Sequence, residues 1–311
     1  MSPETDPGPQ TSTSTSIADR VHKFEHRAMN CVWGIYLVGE DERYAAQAAR
    51  VAFAEIDRLE RELSRFVPTS DVARINALSA GQSVRIGPDA FACLETAAQV
   101  CAATHGAFDV TIGTLLEPGF HGAPSPHVPR IGVDEEDRSV TALSDSVVVD
   151  LGGIGKGFAV DQVVAVLRHW KIASALVHSG RSTTFALGTP AGEPGWLIAL
   201  RDPRQPDSSL ARFYLRDMAF SGSSMVLHGA HIIDPLTGQP PSTGALGAWA
   251  IAPTAAQADA LSTAFMVLSP DEVAGYCRRH PQNTGVLYLE TGEGLRLHTF
   301  GREPRWALQA V

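Results

Sequence analysis

Val147-Val148-Val149-Asp150-Leu151-Gly152-Gly153-Ile154-Gly155-Lys156-Gly157 leads without a break into residues 158–170. The apolar run over 146–150 reads as a strand, the glycines as a turn, and 158–170, whose apolar side chains recur at helical spacing, as a helix. Unpaired N–H groups at a helix start, together with the macrodipole, favour an anion there. Lys156 opposes that dipole, so it is better explained facing a ligand's negative charge than facing solvent. The same glycines also suit a turn that exists only for tight packing. Gly157 stands where a Walker loop has Ser or Thr, and the G-x-G-x-x-G register fails as well.

Working outward, a strand is expected at Val32 to Val38. Glu42 to Phe66 follows, with Ala45, Ala49, Ala52, Phe53, Ile56, Leu59 and Leu63 at the three- and four-residue spacing of an amphipathic helix. A second helix over Pro88 to His105 opens on Pro and Asp and stops before Gly106. The Pro-rich stretch Glu117 to Gly132 reads as a surface loop or flap. Beyond the glycine turn, strands are expected at 174–178, 196–200, 212–219, 248–251 and 285–289, and helices at 255–267 and 270–279. Strands and helices alternate irregularly, which predicts an α+β fold with mixed sheet pairing rather than a doubly wound parallel sheet. Residues 2–16 are almost wholly Pro, Ser, Thr and other polar types and cannot offset their ordering entropy by burial. The expected organisation is a disordered N-terminal tail over 1–26 and one domain over 27–311.

Composition narrows the function. With 25 Lys+Arg against 34 Asp+Glu the formal charge is −9, which argues against a nucleic-acid partner. No apolar run reaches the length of a membrane span, and Met1 to Glu25 lacks the apolar core of a signal peptide, so a cytoplasmic location is expected. Cys31, Cys93, Cys101 and Cys277 form no Cys-x-x-Cys pair and read as buried thiols in a reducing compartment. No His-Glu-x-x-His is present, and the Gly-x-Ser spots do not sit on a strand-to-helix elbow.

Two further segments carry oxygen-rich chemistry. In Ala258 to Ala264, Asp259 and Thr263 lie four residues apart and share a helix face with Ser262 beside them, a cluster that suits a hard cation such as magnesium. A helix N-cap or a solvated polar stripe is the competing explanation. His231 to Gly238 reads equally as a strand that ends in a Pro-containing turn, and a histidine such as His231 is often only a satisfied core residue.

Taken in order, these segments resemble the ApbE family of FAD:protein FMN transferases. The resemblance is carried by Arg27-Ala28-Met29, Leu63-Ser64-Arg65-Phe66, Ser70 to Asn76, Thr104 to Thr111, Val149 to Gly157, Ser221-Gly222, His231 to Gly238 and Ala258 to Ala264. It implies an α+β, ApbE-like fold whose two halves enclose the active site. It also implies transfer of FMN from FAD to a Thr or Ser hydroxyl of an acceptor protein, with release of AMP. Met29, Phe66 (where Tyr is common), Ala107, Phe108, Asp109, Asp150, Lys156 and Ile233 would contact FAD. Asp259, Thr263, Ser262 and the Gly153 carbonyl would hold Mg2+. Lys156 would offset charge on the pyrophosphate. His231, oriented by Asp234, would position or deprotonate the acceptor hydroxyl. FAD pyrophosphatase activity, with water in place of that hydroxyl, and FAD binding without turnover are the alternatives. Where the family commonly shows Asn-x-Gly-Gly-Asp, this chain reads His178-Ser179-Gly180-Arg181-Ser182.

Overall fold

The computed structural model describes residues 21–116, 129–225, 232–292 and 294–309. The chain begins with a hairpin, β1 (Val21–Ala28) and β2 (Cys31–Val38), whose two-residue turn places both Met29 and Asn30 at positive φ. Strand β1 corrects the expected boundary of the tail, because residues 21–26 pair along β2 with Phe24 opposite Ile35. Helix α1 (Glu42–Leu63) follows, capped by Asp41, and buries Ala45, Ala48, Ala49, Ala52, Ile56, Leu59 and Leu63. It stops at Leu63 rather than Phe66 because Ser64 turns extended. Then come α2 (Asp71–Asn76), β3 (Ser83–Arg85), α3 (Pro88–Ala103) and α4 (Gly113–Leu116). Most of the expected 117–132 loop lies outside the described residues; its end forms β4 (Ile131–Asp134), which pairs with β5 (Ser139–Ala142). The second half comprises α5 (Gly155–His169), β6 (Ala175–Ser179), β7 (Thr183–Leu187), β8 (Trp196–Asp202), β9 (Gln205–Leu215), β10 (Met218–Ser223), β11 (Ala245–Ala252), α6 (Ala255–Val267), α7 (Pro270–Arg279), β12 (Thr284–Thr291), β13 (Gly294–Gly301) and β14 (Arg305–Gln309).

The α+β class holds. The main sheet runs β1-β2-β6-β7-β10-β11-β12-β13, with smaller sheets β14-β9-β8 and β3-β5-β4, and every pairing between described strands is antiparallel. One hydrophobic core lies between the main sheet and helices α1, α3, α5 and α6; a second lies between its other face and the β8–β9 ribbon, around Phe213, Trp249 and Tyr288. Helix α6 is buried nearly all round, so its polar residues sit inside the protein rather than on a solvated stripe.

The valine run is not a strand. Val147 and Val149 are buried, but the backbone bonds go to side chains: Asn76 Nδ2 donates to Val149 O at 3.0 Å, Val149 N–H to Asn76 Oδ1 at 2.7 Å, and Val148 N–H to Thr114 Oγ1 at 2.9 Å. Side chains from α2 and α4 thus take the place of a neighbouring strand. Residues 212–219 are likewise two strands, parted at Asp217, which adopts φ +50°.

A glycine turn between an exposed ring and a buried carboxylate

The turn after Asp150 is set locally. Asp150 Oδ1 accepts from the Gly152 N–H at 2.8 Å, and Lys156, in the first turn of α5, returns its Nζ to Gly152 O at 3.1 Å. One glycine here is required by contact and another is tightly placed. A Cβ on Gly153 would stand 3.1 Å from the Phe108 ring and 3.2 Å from Thr263 Oγ1; on Gly157 it would strike Ala255 O at 2.2 Å. The turn therefore brings α5 against α6, and tight packing accounts for Gly157.

On α6, Asp259 is 5% exposed and both its oxygens accept hydrogen bonds. Its Oδ2 accepts from the Gly157 N–H at 3.0 Å, and its Oδ1 from Thr183 Oγ1 at 3.0 Å and Ser221 Oγ at 3.1 Å. Register explains the hydroxyls, since Thr183 on β7 lies directly opposite Ser221 on β10, with 2.9 Å between their oxygens. Two residues along β10, Ser223 Oγ lies 2.9 Å from Ser262 Oγ and 3.3 Å from Thr263 Oγ1. The N-cap of α6 is Thr254, so Asp259 does not cap its own helix. Thr263 thus lies against Gly153, and Ser223 bridges the hydroxyls of Ser262 and Thr263 on the helix that carries Asp259.

Among the described residues no three His, Cys, Asp or Glu side chains converge on a metal position. The oxygen cluster is of a different kind, with one carboxylate, hydroxyls held in place by Ser223, and a backbone turn alongside. A donor set of oxygens alone fits a hard divalent cation such as Mg2+.

On the other side of the turn, Phe66 is 80% exposed, which leaves its ring open to a ligand. The Arg65 guanidinium lies 4.6 Å from the Phe66 ring centroid and pairs through Nε with Asp150 Oδ2 at 3.3 Å. Arg65 therefore links Phe66 to Asp150, a role that residue type alone did not reveal although Arg65 stood within a quoted segment. Phe108 and Ala107 are buried, Phe108 against Gly153. Asp109 Oδ1 accepts from the Thr111 N–H at 2.7 Å and Thr111 Oγ1 at 2.8 Å, and so caps the short helical turn over 110–112. Met29 is half-buried in the β1–β2 turn and packs on the core.

His231 lies outside the described residues. Asp234 spends both oxygens within its own turn, Oδ1 accepting from the Leu236 N–H at 2.8 Å and Oδ2 from Thr237 Oγ1 at 2.9 Å. That turn lies against Gly106, where a Cβ would meet Leu236 at 3.3 Å, and half-buried Ile233 precedes it. The contacts that sequence reasoning missed are Thr183, Ser221, Ser223 and Asp161. Asp161, on α5, accepts from the first two N–H groups of α6, and burial pushes its carboxyl up to about 6. All four cysteines are free thiols, and burial raises each above the ordinary thiol range, which leaves them poor nucleophiles. Among the described residues no helix is long and apolar enough to cross a membrane.

A model of the ApbE family matches residues 29–288. Among curated proteins, the FAD:protein FMN transferase of Salmonella typhimurium is 27% identical over 94% of this chain and 90% of its own length; that of Escherichia coli K12 is 26% identical over 89% and 86%. Among solved structures, flavin transferase ApbE from Vibrio cholerae superposes with a TM-score of 0.76 at 19% identity, covering 90% of this chain and 97% of the other. The apo form of Pseudomonas stutzeri flavinyl transferase ApbE gives 0.74 at 24%, covering 91% and 98%. At those identities the two structures establish a shared fold.

Proposed function

The chain belongs to the ApbE family, and from that premise we propose that it transfers FMN from FAD to a Thr or Ser hydroxyl of an acceptor protein, releasing AMP. The observation that carries the reading is the Gly153 turn, which touches Phe108 and Thr263, on the same helix as Asp259 and Ser262, and stands beside Lys156 and the Arg65–Phe66–Asp150 group. An exposed aromatic suits the flavin ring. A lysine at a helix start suits the pyrophosphate, and the names of the relatives agree with such a substrate.

In this reading Phe66 and Phe108 flank the flavin half of FAD, with Met29, Ala107, Asp109, Asp150 and Ile233 lining it. Lys156 donates to the pyrophosphate in place of Gly152 O. Asp259, Ser262, Thr263 and the Gly153 carbonyl would hold Mg2+, which when bound would neutralise charge that gathers on the departing AMP. The acceptor oxygen bonds to the FMN phosphorus as the bond from that phosphorus to the AMP phosphate oxygen breaks. The proton of the hydroxyl passes to His231, whose ring Asp234 would orient.

Incubating the protein with FAD, Mg2+ and a candidate acceptor should add the mass of one FMN, less one water, to a Thr or Ser of that acceptor. AMP formed at the same rate without any acceptor would instead identify a pyrophosphatase. Phe66→Ala should weaken FAD binding about tenfold, roughly 1.4 kcal/mol, because an aromatic face is lost. The same change should leave stability within about 0.5 kcal/mol, since the ring is 80% exposed. Fluorescence titration with FAD beside a thermal melt checks both; unaltered affinity would place Phe66 outside the flavin site.

A further inference from the structure

Helices α5 and α6 hold each other by an exchange of carboxylates. From α5, Asp161 reaches the start of α6, its Oδ1 accepting from the Ala255 N–H at 2.7 Å and its Oδ2 from the Ala256 N–H at 2.8 Å. From α6, Asp259 reaches back to the first turn of α5 and accepts the Gly157 N–H. Each helix start has N–H groups that its own helix cannot satisfy and a dipole that attracts negative charge. Each carboxylate therefore caps its neighbour, and the joint closes at Gly157, where there is no room for a Cβ.

Helix α6 does not depend on Asp161 alone for a cap. Thr254 Oγ1 already accepts from the Gln257 N–H at 3.3 Å. A second, partly buried carboxylate at the same end, drawn from another helix, serves the joint. What the joint fixes is also clear from the chain. Lys156 lies on the first turn of α5, with Gly153 just before it, and Asp259, Ser262 and Thr263 lie on the second and third turns of α6. A helix is stiff over such a length, so the place where its start is pinned sets where those oxygens stand.

We infer that Asp161 is a positioning residue: by pinning the start of α6 to α5, it sets where Asp259, Ser262 and Thr263 stand relative to the Gly153 turn, and so how tightly they hold a divalent cation. The inference rests on the metal site proposed above. Its test is a titration of the full chain with Mn2+ alone, the free ion being measured by electron paramagnetic resonance. Wild type should bind one ion. Asp161→Asn, which keeps the shape but turns an amide NH2 toward one of the two N–H groups, should weaken binding at least tenfold. Asp161→Glu, which keeps the charge at the wrong reach, should fall between. Thr254→Ala, which removes only the helix's own cap, should lower the melting midpoint and leave affinity within about twofold.

Equal Mn2+ affinity in wild type and in whichever Asp161 variant folds overturns the positioning role while the metal site stands. Failure of wild type to bind Mn2+ at all overturns the metal site, and the positioning role with it. Weakened binding in Thr254→Ala to the same degree as in Asp161→Asn overturns the role too, because any loosening of α6 would then suffice.

Discussion

Asp259→Ala is expected to abolish metal-dependent FMN transfer and also to lower stability. The side chain is buried and accepts from Gly157 N–H, Thr183 Oγ1 and Ser221 Oγ. Truncation leaves those donors without their acceptor, and an unsatisfied buried donor costs about 1–3 kcal/mol. Thr183 and Ser221 already lie within bonding distance of each other and can satisfy one another in part. The Gly157 N–H has no such recourse, so a loss of about 2–4 kcal/mol is expected, several degrees in the melting midpoint. Asp259→Asn separates the two effects, because it keeps an acceptor oxygen and the shape but not the charge. It should retain most of the stability and still lose transfer. Full transfer at unchanged Mg2+ dependence in the Asn variant would remove Asp259 from the metal site and leave it a purely structural hub.

Lys156→Ala should do the reverse, sparing the fold and impairing FAD. The ammonium sits in the first turn of α5, at the positive end of the helix dipole, where a cation costs about 0.3–1 kcal/mol. In the free protein its bond is one contact to Gly152 O at 3.1 Å, at a half-exposed position. Its removal should leave the melting midpoint unchanged or slightly raised. A charged hydrogen bond to the pyrophosphate is worth roughly 1.5–3 kcal/mol, so FAD affinity or turnover should fall by about one to two decades. Wild-type kinetics and affinity in the variant would place Lys156 outside the site.

The parts of the molecule that were legible in the sequence are those whose cause is local. Helix α6 runs over 255–267 and α7 over 270–279 as the periodicity predicts, and α7 starts on a capping box of Ser269 and Glu272. The apolar spacing in α1 survives almost unaltered, with Phe53 only partly buried. The valine run misled because strand-like composition says nothing about who answers the backbone, and here Asn76 and Thr114 do. Gathering Asp259, Ser262 and Thr263 on one helix needed only helical spacing. Their partners Thr183 and Ser221 meet through the register of β7 with β10, and Asp161 reaches α6 across 94 residues, so no local pattern shows these contacts, although Ser221 stood within a segment that carries the resemblance. Arg65 was in plain view, but only the turn at Ser64 shows that it lies over Phe66 and pairs with Asp150.

The most direct measurement follows AMP and protein-bound flavin together in one reaction of the protein with FAD, Mg2+ and an acceptor carrying a Thr or Ser. FMN transfer predicts the two products in equal amounts, both lost when Mg2+ is chelated and both lost in Asp259→Asn. Tight FAD binding with neither product, at any Mg2+ concentration and with acceptors modified by a related transferase, would contradict it.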